Sequence, residues 1–244
     1  MLLGFIGCLA RTGGLLLFVP IPGLRNAPAA PRILLALAIT MCLSPVWPAA
    51  PRGTMSTLSI AGWAAAQAAT GLGAGLAVSL LMEGLLLAAQ VLGLQAGFSY
   101  ASTIDPMSQA DSGILQVWMQ LFGGFLLFAT GMDRHIIRAF AAGLGRGVPA
   151  ASSGPVEIAM QLGSGMFVAA VRLAFPVVTV LLLLDIALAM TGRLQAQMQL
   201  ISLAFPAKMA GAVLLLALLT AAFPSVFEAA AARTIRYLPA LVGS

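Results

Sequence analysis

Charged residues are so rare in this chain that five long segments contain none. The 244 residues include 12 Lys and Arg and 7 Asp and Glu, which is 8% charged residues, whereas a soluble domain carries about 25%. Apolar residues make up 61% of the chain, so too little polar surface remains to solvate a globule of this size. The sequence therefore excludes a soluble enzyme, a disordered chain and a nucleic-acid-binding domain, and it requires lipid or a large apolar protein partner as surroundings.

The five charge-free segments are long enough for membrane-spanning helices, since a span needs about 20 residues. They are Ile33–Pro51, Gly53–Met82, Gly84–Ile104, Ser112–Met132 and Met209–Phe227. Pro- and Gly-rich turns separate most of them. We therefore expect an all-helical integral membrane protein that forms one domain over residues 1–244. We also expect residues 1–8 to begin a first membrane helix rather than a cleaved signal.

The run between residues 54 and 104 leaves the topology open. Its only interruption is Glu83 with Gly84. The basic clusters are Arg25 with Arg32, Arg134 with Arg138 and Arg146, and Arg233 with Arg236. Placing all three in the cytoplasm requires two crossings in this run, but no polar turn separates the two crossings. Two crossings, a long kinked helix and a re-entrant hairpin are all compatible with the sequence.

Small residues recur with helical spacing in the same run. Ala61, Ala65, Ala69, Gly73 and Ala77 are each four residues apart, and Gly71 and Gly75 repeat that spacing. Small residues at i and i+4 let two helix backbones approach closely, which favours helix association in lipid. The pattern predicts close packing with several helix neighbours.

Polar side chains within the apolar segments are the main candidates for function. A charge at a bilayer centre costs about 2.5–3.5 kcal/mol, so such residues usually face a bundle interior or a water-filled path. We interpret them as buried polar contacts that hold an assembly together, with an ion path as the alternative. Asp185 and Arg193 are too far apart for an i, i+4 pair, so we expect their partners on other helices. The candidates are Arg11, Glu83, Gln90, Gln95, Arg172, Asp185, Arg193 and Gln197.

No catalytic constellation is present in the sequence. His135 is the only histidine, and no metalloprotease motif or phosphate-binding Gly-rich loop occurs. We expect no enzyme activity, no cofactor and no metal site.

Four blocks of sequence carry a family resemblance. They are Arg11 with GGLLLFVPIPG (13–23), LQAGFSYASTIDP (94–106), the apolar run that ends at His135, and Pro176 to Arg193 with AQMQ (196–199). Together they resemble the FliR/SctT family of the type III secretion export apparatus of flagella and injectisomes. The chain departs from the family pattern at Ala196, Gln199 and the Asp133-Arg134 pair, and Gln67 stands where many members carry Glu.

The resemblance implies an all-α fold of kinked helical hairpins. It implies assembly with FliP-like and FliQ-like subunits, and with an FlhB-like switch protein, into a hetero-oligomeric helical pore. The cargo would be unfolded secreted proteins, and the location the bacterial inner membrane at the base of a flagellum or injectisome. Membrane lipid is an implied partner and nucleic acid is not.

The resemblance also implies that residues 98–112 form a plug that closes the pore. Pro106 and Gly113 would be its hinges, and Asp105 and Asp111 would be its latches. The gate candidates are Phe98, Ser99, Tyr100, Asp105, Pro106, Met107 and Asp111.

A multi-pass secondary transporter for a small solute is the alternative function. Such a protein would show inverted repeats around a midplane site, and the sequence has no two corresponding halves. The export-gate interpretation therefore takes precedence.

Overall fold

The computed structural model describes residues 2–19, 28–49, 56–98, 113–146, 155–194 and 200–243. All regular structure in these ranges is helical, which confirms the all-α prediction. The α-helices are α1 (Leu2–Phe18), α2 (Ala29–Cys42), α3 (Thr57–Ala96), α4 (Ile114–Ala129), α5 (Met132–Arg146), α6 (Pro155–Leu194), α7 (Leu200–Leu219) and α8 (Phe223–Val242), with a short 3₁₀ helix at Ser44–Val46.

Helix α3 is continuous through the run around Glu83. It continues as one 40-residue helix through Glu83 and Gly84, so a re-entrant hairpin and two separate crossings are both wrong. At 1.5 Å per residue a helix of this length extends about 60 Å, twice the hydrocarbon thickness of a bilayer. Helix α6 also has 40 residues. A single bilayer therefore cannot enclose either helix along its whole length.

The segment Ile33–Pro51 does not contain the spanning helix that its length suggests. Helix α2 has only 14 residues, about 21 Å, and a 3₁₀ turn follows it. Pro45 lies in that turn, where its ring and its missing N–H stop an α-helix from continuing. Helix α1, with 17 residues, is also below the usual span length.

Two helices among the described residues, α3 and α6, are long and apolar enough to cross a membrane. There are also two bent helix pairs, α4 with α5 and α7 with α8. If each pair crosses the membrane as one span, the number of spans rises to four. The bends are 65° and 63°. Between α4 and α5 the chain turns at Gly131, whose φ of 67° favours glycine.

The chain divides into two compact units. Unit 1 contains Met1–Met82, Gly124–Gly165 and Ala230–Ser244, and unit 2 contains Glu83–Gly123 and Met166–Ala229. Helices α3 and α6 each contribute residues to both units. That residues 1–244 act as one export-gate domain stays a prediction.

Helices α1 and α3 pack backbone against backbone in unit 1. A Cβ added at Gly71 would overlap the carbonyl oxygen of Arg11, and one at Gly75 would lie 2.5 Å from that of Leu15. In the other direction, a Cβ at Gly14 would lie 2.5 Å from the carbonyl oxygen of Ala68. Only glycine fits such an approach, which confirms the predicted close packing of this small-residue run.

In unit 2 an aromatic cluster packs α4 against the start of α8. The rings of Trp118 and Phe122 stack with centroids 5.1 Å apart, and the ring of Phe223 lies edge-on to both. Phe223 is 1% exposed, so it anchors the first turn of α8.

Candidate functional site: two polar centres

Few polar side chains are buried among the described residues, and most of them come from three helices. Arg11 and Thr12 lie on α1, Thr40 on α2, and Gln67 and Thr70 on α3. In such an apolar chain, polar groups are buried only at a cost that hydrogen bonds must offset. We call the contacts around Arg11 the Arg11 centre.

The Arg11 guanidinium joins all three sequence segments of unit 1. Its Nε donates to Thr70 Oγ1 at 2.8 Å, its Nη1 to the Gly143 carbonyl at 2.8 Å, and its Nη2 to the Val242 carbonyl at 2.7 Å. These acceptors lie on α3, α5 and α8, and Arg11 itself is 0% exposed. Because the donors of a guanidinium point in fixed directions, one side chain sets the relative positions of four helices.

Glycines at the crossing points make this geometry possible. Gly71 lies against the backbone of Arg11, so α1 and α3 are close enough for Arg11 to reach Thr70. Gly143 lies against Val242, and a Cβ there would overlap the valine side chain. The two carbonyl acceptors of Arg11 therefore come from helices that are themselves in close contact.

Gln67 is the exception among the buried polar groups. It is 0% exposed, yet neither its Nε2 nor its Oε1 has a hydrogen-bond partner among the described residues. Its backbone carbonyl accepts from Thr70 Oγ1 at 2.7 Å. The unsatisfied amide is a destabilising feature next to a residue of the Arg11 centre.

The second polar centre lies in unit 2 and is built around Asp185. Lys208 Nζ lies 2.8 Å from Asp185 Oδ1 and 2.9 Å from Oδ2, and Gln95 Nε2 donates to Oδ2 at 3.2 Å. The Lys208 and Asp185 side chains are 17% and 40% exposed. Helices α3, α6 and α7 meet at this carboxylate, which we call the Asp185 centre. The partners of Asp185 therefore lie on other helices of this chain, and its role as an assembly contact stays a prediction.

The remaining predicted assembly contacts are distributed along α3 and α6. Glu83 is half-buried, and Gln90 and Arg172 are exposed in the chain by itself. Arg193 lies in α6, but its side chain and all of Gln197 are outside the described part. Burial of these residues in an assembly stays a prediction.

The predicted plug lies almost wholly outside the described residues. Only Phe98 is described, half-buried after the end of α3. The Phe98 N–H donates to the Gly93 carbonyl at 3.0 Å and the Gly97 N–H to that of Leu94 at 3.2 Å, with Gly97 at φ 85°. This is the Schellman motif that ends helices. Ser99, Tyr100, Asp105, Pro106, Met107 and Asp111 are outside the described ranges.

The described ranges show no cluster of metal ligands, and a cavity among them is apolar. No group of three or more His, Cys, Asp or Glu side chains is placed to hold a metal ion. His135 Nδ1 lies 3.0 Å from the Gly131 carbonyl, a contact at the start of α5. A cavity of about 310 Å³ in unit 1 is lined by apolar residues from α3, α6 and α8, among them Ala77, Leu162 and Leu241.

Sequence reasoning missed two side chains of these centres. Thr70 was not singled out, although a hydroxyl one residue before Gly71 in a small-residue run is the signal that could have identified it. Lys208 is the only lysine of the chain, and its place in an apolar segment was a usable signal for an ion pair.

Comparison with known proteins identifies relatives over most of the chain. Residues 2–234 match the family described as bacterial export proteins, family 1. The flagellar biosynthetic protein FliR of Escherichia coli strain K12 is 28% identical over 218 residues, which cover 86% of this chain and 82% of that protein. FliR of Caulobacter vibrioides is 26% identical over 215 residues, covering 86% and 85%.

Proposed function

The chain belongs to the bacterial export proteins, family 1, as its resemblance to FliR indicated, and we propose that it is a pore and gate subunit of a type III secretion export apparatus. It would form the channel together with FliP-like and FliQ-like subunits, contact an FlhB-like switch protein, and pass unfolded proteins across the bacterial inner membrane. The flagellar export apparatus is the favoured setting, because the relatives are named as flagellar biosynthetic proteins.

The observation that carries the proposal is the family match over residues 2–234. It covers most of both compact units, the whole Asp185 centre and the Arg11 centre except Val242, so it does not depend on one motif. The relatives also align over more than four fifths of their own length.

The apolar surface supports an assembly rather than a solitary chain. Helix α6 has an apolar window of which only 28% is buried, and a bilayer covers about 20 of its residues. The remaining apolar surface needs protein to cover it, which FliP-like and FliQ-like neighbours would provide. The two polar centres would keep the subunit rigid within such an assembly.

In this proposal residues 98–112 form the plug. The Schellman motif at Gly97 supports it, because a helix stop at this point frees the following residues to leave the axis of α3. The aspartates of this segment would then hold the closed state through polar contacts.

The export role can be tested by genetic complementation. In a strain of the source organism that lacks this gene, the wild-type gene should restore secretion of flagellar proteins into the medium and the formation of filaments. The chain purified from those membranes should carry the FliP-like and FliQ-like subunits in one complex. A monodisperse single chain that takes up a solute into liposomes would instead support the transporter alternative.

The plug has a separate test. Deleting part of Ser102–Asp111 should raise ion leakage across the membrane of cells that express the complex, because the closed pore loses its obstruction. A deletion of equal length in the Pro-rich segment 20–32 is the control. Equal leakage in both variants would count against the gating role and leave the export role intact.

A further inference from the structure

Helix α6 is the more exposed of the two long apolar helices. Of its apolar window 28% is buried, compared with 56% for α3. Four large side chains near its middle are between 43% and 65% exposed, and Arg172 lies exposed among them. We define the Arg172 face as Phe167, Val168, Val171, Arg172 and Phe175.

These five residues form one continuous surface. Residues 167, 171 and 175 are each four residues apart and form one row along the helix. Residues 168 and 172 are also four apart and lie beside that row, and residue 175 follows residue 172 by three. All five belong to unit 2. No hydrogen bond or ion pair links Arg172 to any residue that the structure describes, so none of these residues occupies its five N–H donors.

The position of Arg172 along α6 makes lipid an unsuitable cover. The candidate span extends from Val156 to Thr191, so about 24 Å of it precedes Arg172 and about 28 Å, which includes Asp185, follows it. The hydrocarbon core is about 30 Å thick. A bilayer centred on the span puts the charge at its midplane, where it is costly.

Shifting the bilayer along α6 does not solve the problem. If Arg172 reaches a headgroup region, one half of the exposed apolar span lies outside the hydrocarbon, with Met160 or Met190 in water. Met160 is 70% exposed and Met190 66%. In every register, protein must cover part of this helix, and in the centred register it must cover the charge.

We propose that the Arg172 face is the docking surface for a helix of a partner subunit that presents an Asp or Glu to Arg172. The partner's carboxylate accepts from two guanidinium N–H groups, which a planar guanidinium donates in parallel. Its apolar side chains pack between Phe167 and Phe175. This surface rests on the proposed function, since the partner is a subunit of the same export complex.

The first experiment measures complex formation with Arg172→Met, Arg172→Lys and a matched control. Arg236→Met is the control because Arg236 is also exposed but lies on α8. Each chain is co-expressed with the FliP-like and FliQ-like subunits, and the complex is quantified by native mass spectrometry after detergent extraction. Arg172→Met should lower the yield of complex at least about tenfold, because it leaves a carboxylate desolvated and unpaired. Arg172→Lys should retain more, since it keeps the charge.

The second experiment identifies the neighbour directly. A photo-crosslinking amino acid at position 171, in membranes that contain the complex, should link to a partner peptide that contains Asp or Glu. Arg172→Glu should lose the complex, and replacing that acid by Arg should restore it. Restoration also shows that the variants fold.

Several outcomes would overturn the proposal. Crosslinks to phospholipid alone would mean that Arg172 meets a lipid phosphate. Equal yields for Arg172→Met and Arg236→Met would mean that the face is not an interface. In both cases the wild-type chain still forms the complex, so the proposed function stands. If the wild-type chain joins no complex, the proposed function itself is refuted.

Discussion

Replacing Gly71 by alanine tests whether close contact between α1 and α3 determines the stability of unit 1. The added Cβ would overlap the carbonyl oxygen of Arg11 and lie 2.8 Å from its carbonyl carbon. Both atoms belong to backbone in the middle of α1, so no side chain can rotate away. Helix α1 must move from α3 by roughly 1 Å to restore ordinary contact distances.

The size of the effect follows from three contributions. Overpacking of this kind costs about 1–3 kcal/mol. A displaced α1 stretches the 2.8 Å bond from Arg11 to Thr70, and losing a bond to a charged group costs about 1.5–3 kcal/mol. Alanine in place of glycine favours the helix by about 1 kcal/mol. The net destabilisation is about 1.5–5 kcal/mol, which lowers the Tm of a chain of this size by about 3–20 °C.

Thermal unfolding of the purified chain in detergent, followed by circular dichroism, measures this shift. Gly62→Ala is the matched control because Gly62 lies on the same helix with no atom within 4 Å of the added Cβ. That variant should unfold at the wild-type temperature or slightly above it. If Gly71→Ala is as stable as Gly62→Ala, then α1 and α3 are not in backbone contact and the reasoning fails.

Three further predictions concern the polar centres and use the same unfolding assay. Arg11→Met leaves two buried carbonyl groups without a donor and should lower the free energy of unfolding by about 2–6 kcal/mol, and Arg11→Lys should have an intermediate effect. An unchanged Tm for Arg11→Met would refute the described contacts. Lys208→Met should lower the free energy of unfolding by about 1 kcal/mol, since Asp185 is partly solvated. The double variant with Asp185→Asn should lose less than the sum of the two single changes, and strict additivity would argue against the ion pair. Gln67→Leu should raise the Tm, because it removes an unsatisfied amide worth about 1–3 kcal/mol, whereas a large drop would reveal a partner.

The sequence was sufficient to predict the helices where their signals are local. Long charge-free runs, and Pro or Gly between them, indicate apolar helices and their ends, and the regular small residues of α3 indicated its close packing. The continuity of α3 through Glu83 could not be predicted, since a single charged residue is compatible with a turn and with a helix. The shortness of α2 could have been predicted from Pro45 and Pro48.

The contacts of Arg11 show what the sequence cannot provide. Two of its three acceptors are backbone carbonyls, 132 and 231 residues away, and every residue has such a carbonyl, so no residue type marks them. Asp185 and Lys208 are side-chain partners in apolar helices, and such pairs can be found from the sequence because both members are rare there. The plug and the partner contacts stay predictions.

The Arg11 centre has a consequence for the order of biosynthesis. Arg11 leaves the ribosome early, but one of its acceptors, Val242, is made 231 residues later. At about 5–20 residues per second this interval is about 10–50 s. During that time the guanidinium has to be solvated by water, lipid headgroups or an insertion factor. Helix α1 therefore cannot complete its contacts when it is made, and its final placement is a late event that depends on the synthesis of Val242.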